Sequence, residues 1–125
     1  MRRVLALTGA SFMFFAGASV AATPTGSLRV FNDSPAALTY VVNGGSERTL
    51  KPGVYFGETV SVGENRFKVT GRGFARTETL SLNTSNAHDM GQGPGSLRWC
   101  LSVTAQGSKL MTPQACFKRI MPSYN

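Results

Sequence analysis

Four basic residues lie close together in one β-like stretch of the sequence. They are Arg66, Lys68, Arg72 and Arg76. Alternate residues of a strand share one face, so a hairpin turning at the Gly-Arg-Gly motif would place these four side chains on the outer face of a sheet. Cationic side chains grouped in this way suit phosphate, sulfate or carboxylate ligands. Cross-strand pairing with Glu64 and Glu78 would instead make them an ordinary charged sheet face.

The single histidine, His88, precedes Asp89 in a stretch rich in Asn, Ser, Gly and Pro, residues 83–95. A Ser–His–Asp triad needs a hydroxyl oriented by the histidine, and no nucleophile-elbow pattern is present. A metal site needs three or four converging ligands, and this pair supplies only two. The sequence therefore predicts a solvated loop histidine, with no catalytic residue, metal or cofactor.

The six acidic residues are widely spread and are typical of turn or exposed-strand charges. They are Asp33, Glu47, Glu58, Glu64, Glu78 and Asp89. A pair of carboxylates could still assemble in space, as in glycosidases. No required constellation is visible, so a small hydrolase is a remaining alternative rather than the expectation.

Cys100 and Cys116 are the two cysteines of the chain. An even pair in an exported protein is usually a disulfide. By the loop-entropy model, a ring of this size stabilises the fold by about 3 kcal/mol. The alternatives are a redox pair, which normally has C-x-x-C spacing, or half of a metal site.

Residues 1–22 have the pattern of a secretory signal peptide. Arg2 and Arg3 precede an apolar segment, and small residues allow cleavage after Ala21 or Ala22. Polar residues interrupt the apolar segment, which disfavours a membrane anchor, and no later segment could span a bilayer. The sequence therefore predicts a secreted or periplasmic protein with one domain, residues 23–125.

Positive charge dominates the composition. The chain has 13 Lys and Arg against 6 Asp and Glu, a formal net charge of +7. Loss of Arg2 and Arg3 with the signal would leave 11 against 6, a net charge of +5. Such a balance favours anionic partners, although it can also serve solubility alone. Nucleic acid is disfavoured, because the nearby Phe67 and Phe74 are needed for the core and cannot act as stacking platforms.

The period-two alternation of apolar residues predicts an all-β fold, a small antiparallel β-sandwich of about seven or eight short strands with one disulfide. Residues 58–82 read as a three-strand meander, and Asn43-Gly44 predicts a tight hairpin turn. Trp99 and Cys100 should face opposite sides of their strand. Pro113 indicates an edge strand or bulge before Cys116, and no helix is expected after residue 22.

Residues 60–82 resemble part of a PEGA-type module, a β-sandwich similar to the carboxypeptidase-regulatory type. The resemblance depends on Gly63, the strand 67–69, Gly73-Phe74 and the strand 80–82. Residues 26–30 and 40–44 look like its opening strands, so about half of the mature chain is covered. The Pro-Glu-Gly-Ala string itself is absent, and residues 47–58 are longer than the pattern. The resemblance implies a non-catalytic module of the cell envelope.

Two functional hypotheses follow. The first is an exported, non-catalytic module that binds an anionic envelope polymer or an envelope protein through the four basic residues. The second is a small secreted inhibitor or immunity-type protein that acts through the loop of residues 83–95, since long loops on rigid scaffolds are often functional.

Overall fold

The computed structural model describes residues 23–89 and 97–120, which form two β-sheets and one short helix. Residues 1–22, with the predicted signal peptide, lie outside the described residues. In chain order the strands are β1 (Thr25–Asn32), β2 (Leu38–Val42), β3 (Arg48–Leu50), β4 (Tyr55–Ser61), β5 (Gly63–Gly71), β6 (Phe74–Leu82), β7 (His88–Asp89), β8 (Leu97–Val103) and β9 (Ser108–Leu110). The helix α1 spans Pro113–Ile120.

The sheets confirm the predicted all-β sandwich class. The first sheet has the order β9-β8-β1-β4, with β7 also pairing with β8, and the second has the order β3-β2-β5-β6. One pairing departs from the antiparallel prediction, because β1 and β8 run parallel with Leu28 opposite Trp99. Alternation along a strand reveals its buried face but not the direction of its partner, so this pairing was not visible in the sequence.

The core lies between the two sheets and takes alternate residues from the longer strands of both. Its fully buried large side chains include Trp99 and Leu28 of the first sheet and Tyr40 and Phe67 of the second. Burying one such side chain stabilises the fold by roughly 1.5–3 kcal/mol. This core fixes which residues of β5 and β6 face solvent.

A smaller cluster lies on the outer side of the first sheet, under α1. Cys100 points away from Trp99, as predicted, and joins Phe31 and Cys116 in this cluster. The Cys100–Cys116 disulfide is present, with the two Cα atoms 5.9 Å apart. The bond therefore fastens the helix to the sheet.

The predicted tight turn at Asn43-Gly44 is confirmed. Asn43 and Gly44 both have positive φ angles, 51° and 71°, which is the geometry of a type I′ turn. The amide of Gly45 donates to the carbonyl oxygen of Val42 at 2.9 Å and closes it. The chain reverses here, and β3 returns along β2 with Leu50 opposite Leu38.

The predicted meander of residues 58–82 is wrong in one respect. Its first run belongs to β4, which pairs with β1 in the first sheet, whereas β5 and β6 form a hairpin in the second. The chain passes from one sheet to the other at Val62, next to Gly63 with a φ angle of 125°. Consecutive strands in a sandwich can pair or change sheets, and both choices give the same alternation.

The helix α1 contradicts the prediction of an edge strand at Pro113. Thr112 caps the helix, since its Oγ1 accepts a hydrogen bond from the amide of Ala115 at 3.1 Å. Pro113 is the first helical residue, where a missing amide proton costs nothing. Lys118 and Arg119 fall in the last turn, where positive charge is favourable. The Thr112-Pro113 pair therefore starts a helix rather than interrupting a strand.

Within residues 23–89 and 97–120 the structure contains no helix that is long and apolar enough to cross a membrane.

Candidate functional site

Arg66 and Lys68 lie on the outer face of the second sheet. Their neighbour Phe67 is fully buried, whereas both cations are exposed. Residues on one face of a strand are separated by roughly 7 Å, so the two charges lie side by side. Arg72 is exposed in the β5–β6 turn. Within the described part of the chain, no ion pair or side-chain hydrogen bond engages any of the three, so each is available to an anion.

Hydroxyl groups surround the two strand cations. Thr77 lies opposite Lys68, and Thr79 lies opposite Arg66, across the β5–β6 hairpin. A further row of hydroxyls crosses β3, β2 and β5 and consists of Thr49, Thr39 and Thr70. The outward positions of these four strands, all of them described, carry no aromatic ring. The face therefore offers charge and hydrogen bonds, and no surface for stacking.

Arg76 faces the other side of the sheet, so its predicted place among the outward basic residues is wrong. It lies opposite the buried Val69. Its Nη2 donates to the carbonyl oxygen of Thr104 at 2.8 Å, its Nη1 to that of Ala105 at 3.1 Å, and its Nε is paired with Glu78. A two-residue turn makes even positions of β6 share the face of odd positions of β5. The face of Arg76 can therefore be predicted from the sequence only when the length of the β5–β6 turn is known.

Two carboxylates also point between the sheets rather than to solvent. Glu78 pairs with Arg76, and Glu58 accepts a hydrogen bond from the Tyr40 hydroxyl at 2.7 Å and from Nε of Arg48 at 3.2 Å. Burial raises the pKa of Tyr40, and the hydrogen bond to Glu58 raises it further, so the hydroxyl remains a donor. Both carboxylates are therefore structural contacts.

His88 does not lie in a solvated loop, contrary to the prediction. It belongs to β7 and pairs with Arg98, which places it on the outer side of the first sheet near the disulfide. A ligand nitrogen of its ring and the sulfur atoms of Cys100 and Cys116 all lie within 4.8 Å of one another. The side chain is half-buried, and its Nε2 atom is buried without a hydrogen-bond partner among the described residues.

Comparison with known proteins adds no assignment to either cluster. No family model, curated protein or solved structure matches this chain. The resemblance of residues 60–82 to PEGA-type modules therefore stays a prediction.

The described part of the predicted loop, residues 83–89, is closely tied to the fold. Asn83 Oδ1 accepts hydrogen bonds from the amides of Ser85 and Asn86 at 3.0 and 2.9 Å. Asn86 Oδ1 accepts from the Trp99 indole at 2.8 Å, and Asn86 Nδ2 donates to the carbonyl oxygen of Ser81. Residues 90–96 of the loop lie outside the described residues.

An exposed apolar run comprises the first two residues of the edge strand β4 and the residue before them, and its exposure was not predicted from the sequence. Val54, Tyr55 and Phe56 are 44%, 39% and 41% exposed. The Tyr55 ring packs against Phe31 with centroids 4.7 Å apart, and the Arg48 guanidinium lies 4.3 Å from the Phe56 centroid. Three consecutive apolar residues break the alternation of a half-buried strand, which was the available signal.

A paired arginine joins α1 to the end of β1. Arg119 donates from Nη2 to Asp33 Oδ1 at 2.8 Å and from Nη1 to Oδ2 at 3.1 Å. Its guanidinium also lies 4.5 Å from the Phe31 ring centroid. The hydrogen bond from Arg119 lowers the pKa of Asp33, with a smaller contribution from Ser102. This cation is therefore committed to the fold, unlike the three on the second sheet.

Proposed function

We propose that this protein is an exported, non-catalytic β-sandwich module that binds an anionic polymer or surface of the cell envelope. The binding surface is the outer side of the second sheet with Arg66, Lys68 and Arg72, here called the basic face. One observation carries the proposal: these three cations are exposed and lack an acidic partner within the described residues. Paired cations elsewhere, such as Arg76 and Arg119, have structural contacts instead.

The chemistry of the basic face favours anionic groups over neutral rings. Arginine and lysine bind phosphate, sulfate and carboxylate groups, and the surrounding threonine hydroxyls can add hydrogen bonds. Neutral sugar rings and single-stranded nucleic acid are usually held by aromatic side chains, which the outward positions of this sheet lack. Glu64 is the one acidic residue among the outward positions of β5 and β6. None of the ion pairs among the described residues joins it to Arg66 or Lys68.

Rigid support of the face favours binding. Phe67 lies between Arg66 and Lys68 in sequence and anchors β5 with a fully buried ring. A preorganised backbone lowers the entropy that a ligand must overcome on binding. The cations therefore need to order only their own side chains.

Export is the second part of the proposal. The Cys100–Cys116 disulfide is typical of proteins from oxidising compartments, and the predicted signal of residues 1–22 and the PEGA-type resemblance agree with a cell-envelope location. The loop alternative, a secreted inhibitor acting through residues 83–95, has less support. Its described part is held to the fold through the Asn86–Trp99 hydrogen bond and the pairing of His88 with β8.

Charge reversal tests the basic face. The variant Arg66→Glu/Lys68→Glu/Arg72→Glu should lose binding to vesicles that contain phosphatidylglycerol and to dextran sulfate. Exposed charge contacts contribute roughly 0.2–1 kcal/mol each, so the loss of three should lower the affinity by about threefold to 150-fold in a sedimentation or titration assay. The lipid and polysaccharide arms distinguish a membrane surface from a soluble polymer.

A matched control carries the same charge change on other surfaces. Lys51→Glu/Lys109→Glu/Lys118→Glu replaces three exposed lysines outside the basic face and should retain most of the affinity. Binding should also weaken as salt rises from 50 to about 500 mM, because surface charges are screened. Equal losses in both variants, or binding indifferent to salt, would refute a dedicated site.

A further inference from the structure

A cluster separate from the basic face suggests a second site. We propose that Cys100, Cys116 and His88 form a redox-gated site for a thiophilic metal ion, here called the thiol–imidazole site. With the disulfide formed the site is closed, and with both thiols free it binds one Cu(I) or Zn(II) ion. The inference uses no residue of the basic face and does not depend on the proposed function.

The three ligand atoms are already close enough to converge. The two sulfur atoms and one ring nitrogen lie within 4.8 Å of one another. In a tetrahedral site with metal–sulfur bonds of about 2.3 Å, two thiolates are separated by roughly 3.8 Å. Opening the disulfide and rotating the two side chains can reach that spacing, since the cysteine Cα atoms are 5.9 Å apart.

The unpartnered Nε2 atom of His88 is an independent indication. This atom is buried, and no hydrogen-bond partner reaches it within residues 23–89 and 97–120. An unsatisfied buried polar atom is costly and rare in folded proteins. A metal ion held by the two cysteines and bound through Nε2 would give this nitrogen the partner that no described residue provides.

Three separate elements hold the ligands in place. His88 belongs to β7, which pairs with β8 so that His88 lies opposite Arg98, two residues from Cys100 on the same face. Cys116 projects from α1 over this face and is 2% exposed, while Cys100 is 1% exposed. Ligands on paired strands and a capped helix are held more precisely than ligands on a loop.

The ligand types select the metal. Two thiolates and one imidazole suit Cu(I) and Zn(II), whereas hard cations such as Ca²⁺ and Mg²⁺ prefer oxygen ligands. Zn(II) normally takes a fourth ligand, which would be water here, while a site of three soft ligands suits Cu(I). The burial of both cysteines leaves little access for a water ligand and favours the three-ligand ion.

A dithiol can act as the reductant that opens the Cys100–Cys116 disulfide. The dithiol supplies two electrons and two protons to the Cys100–Cys116 bond, becomes a disulfide itself, and leaves two thiols on the protein. Metal binding then displaces both thiol protons, because only thiolates act as strong ligands. In the reverse step a disulfide acts as the oxidant: it takes two electrons from the two thiolates and two protons from water and becomes a dithiol. The Cys100–Cys116 bond re-forms, two ligands are removed and the ion is released.

The experiment compares the oxidised and reduced states of the purified protein. Protein reduced with dithiothreitol and desalted without oxygen should bind one Cu(I), or one Zn(II), per chain in competition with a coloured chelator. The oxidised protein should bind neither. Substituting Co(II) should give a thiolate-to-cobalt charge-transfer band, and bound metal should raise the melting temperature of the reduced protein.

Variants separate the site from incidental thiol binding. His88→Ala should weaken metal binding at least tenfold, whereas Lys109→Ala, exposed on the same sheet, should not change it. The oxidised His88→Ala variant should keep its disulfide and melt near the parent, which verifies its fold. The proposal is overturned if the reduced protein binds no metal, if it binds equally well in urea, or if His88→Ala retains full affinity.

Discussion

Arg76 on β6 donates a hydrogen bond from Nη2 to the carbonyl oxygen of Thr104 at 2.8 Å, and this bond joins the second sheet to the β8–β9 turn of the first. The same guanidinium pairs with Glu78, and the two side chains are only 20% and 23% exposed. An arginine that looks like part of a ligand-binding surface in the sequence therefore holds the sandwich together.

Removing this arginine should destabilise the protein. Arg76→Met loses hydrogen bonds from a charged donor and leaves the partly buried Glu78 without its partner. The Oε1 atom of Glu78 already lacks a hydrogen bond among the described residues. We expect a loss of about 2 kcal/mol in the free energy of unfolding, measured by urea titration. Lys68→Met on the outer side of the same hairpin should change it by less than about 0.5 kcal/mol.

The pair also yields a coupling test. In Arg76→Met/Glu78→Leu no buried charge is left alone, so the double variant should be more stable than Arg76→Met. Binding of anionic vesicles by Arg76→Met should remain at the parent level. A large loss of binding with unchanged stability would show that Arg76 belongs to the ligand-binding surface.

The Asp33–Arg119 pair should shape the stability of the protein in acid. The Arg119 hydrogen bond places the pKa of Asp33 below its ordinary value of 3.8, so the carboxylate stabilises the fold above about pH 4. That stabilisation is lost as the pH falls through the lowered pKa. The melting temperature of the parent should therefore drop more between pH 4 and pH 2 than that of Asp33→Asn.

Arg119→Gln provides the matched control for this pH effect. It removes the same pair from the helix side and should give the same flattened acid profile as Asp33→Asn. At pH 7 each variant should lose no more than about 1 kcal/mol, because the pair is partly exposed. Acid profiles that match the parent in both variants would show that the pair does not couple to folding.

Asn86 should be needed to hold the residue 83–89 segment against the core. Asn86→Ala removes the carbonyl oxygen that accepts from the Trp99 indole at 2.8 Å. The indole keeps a longer contact of 3.3 Å to the Asn83 carbonyl oxygen, so we expect a loss of about 1–2 kcal/mol rather than unfolding.

Trp99 fluorescence and urea titration can follow this change. The emission of the variant should shift if water reaches the indole. Ser85→Ala, which removes an exposed hydroxyl from the same turn, should leave both the emission and the stability nearly unchanged. The anchoring role would be contradicted if the two variants behaved alike.

Much of the fold was predictable because local chemistry specifies it. Alternation along β5 placed Phe67 inside and Arg66 and Lys68 outside, and Asn43-Gly44 specified a tight turn. The opposite parity of Trp99 and Cys100 followed from the period of a strand alone. In each case neighbours in sequence are sufficient to fix the result.

The helix α1 could also have been predicted, since Thr112-Pro113 is a recognisable helix start. Pro113 also predicts an interrupted strand, and either a hairpin partner or a tail folded back over the sheet would bring Cys116 near Cys100. Proximity of two cysteines constrains the distance between their Cα atoms but not the secondary structure that provides it.

By itself the sequence determined the all-β class, the disulfide, the tight turns and the outward cations Arg66 and Lys68, because these depend on period, composition and local backbone preference. Only the tertiary structure decided that β1 pairs with β8 in parallel, that Arg76 points inward, and that His88 meets Cys100 and Cys116. These relationships join residues distant in the chain, or depend on the register between strands. Register and sheet assignment come from packing two faces into one core, which no short stretch of sequence specifies.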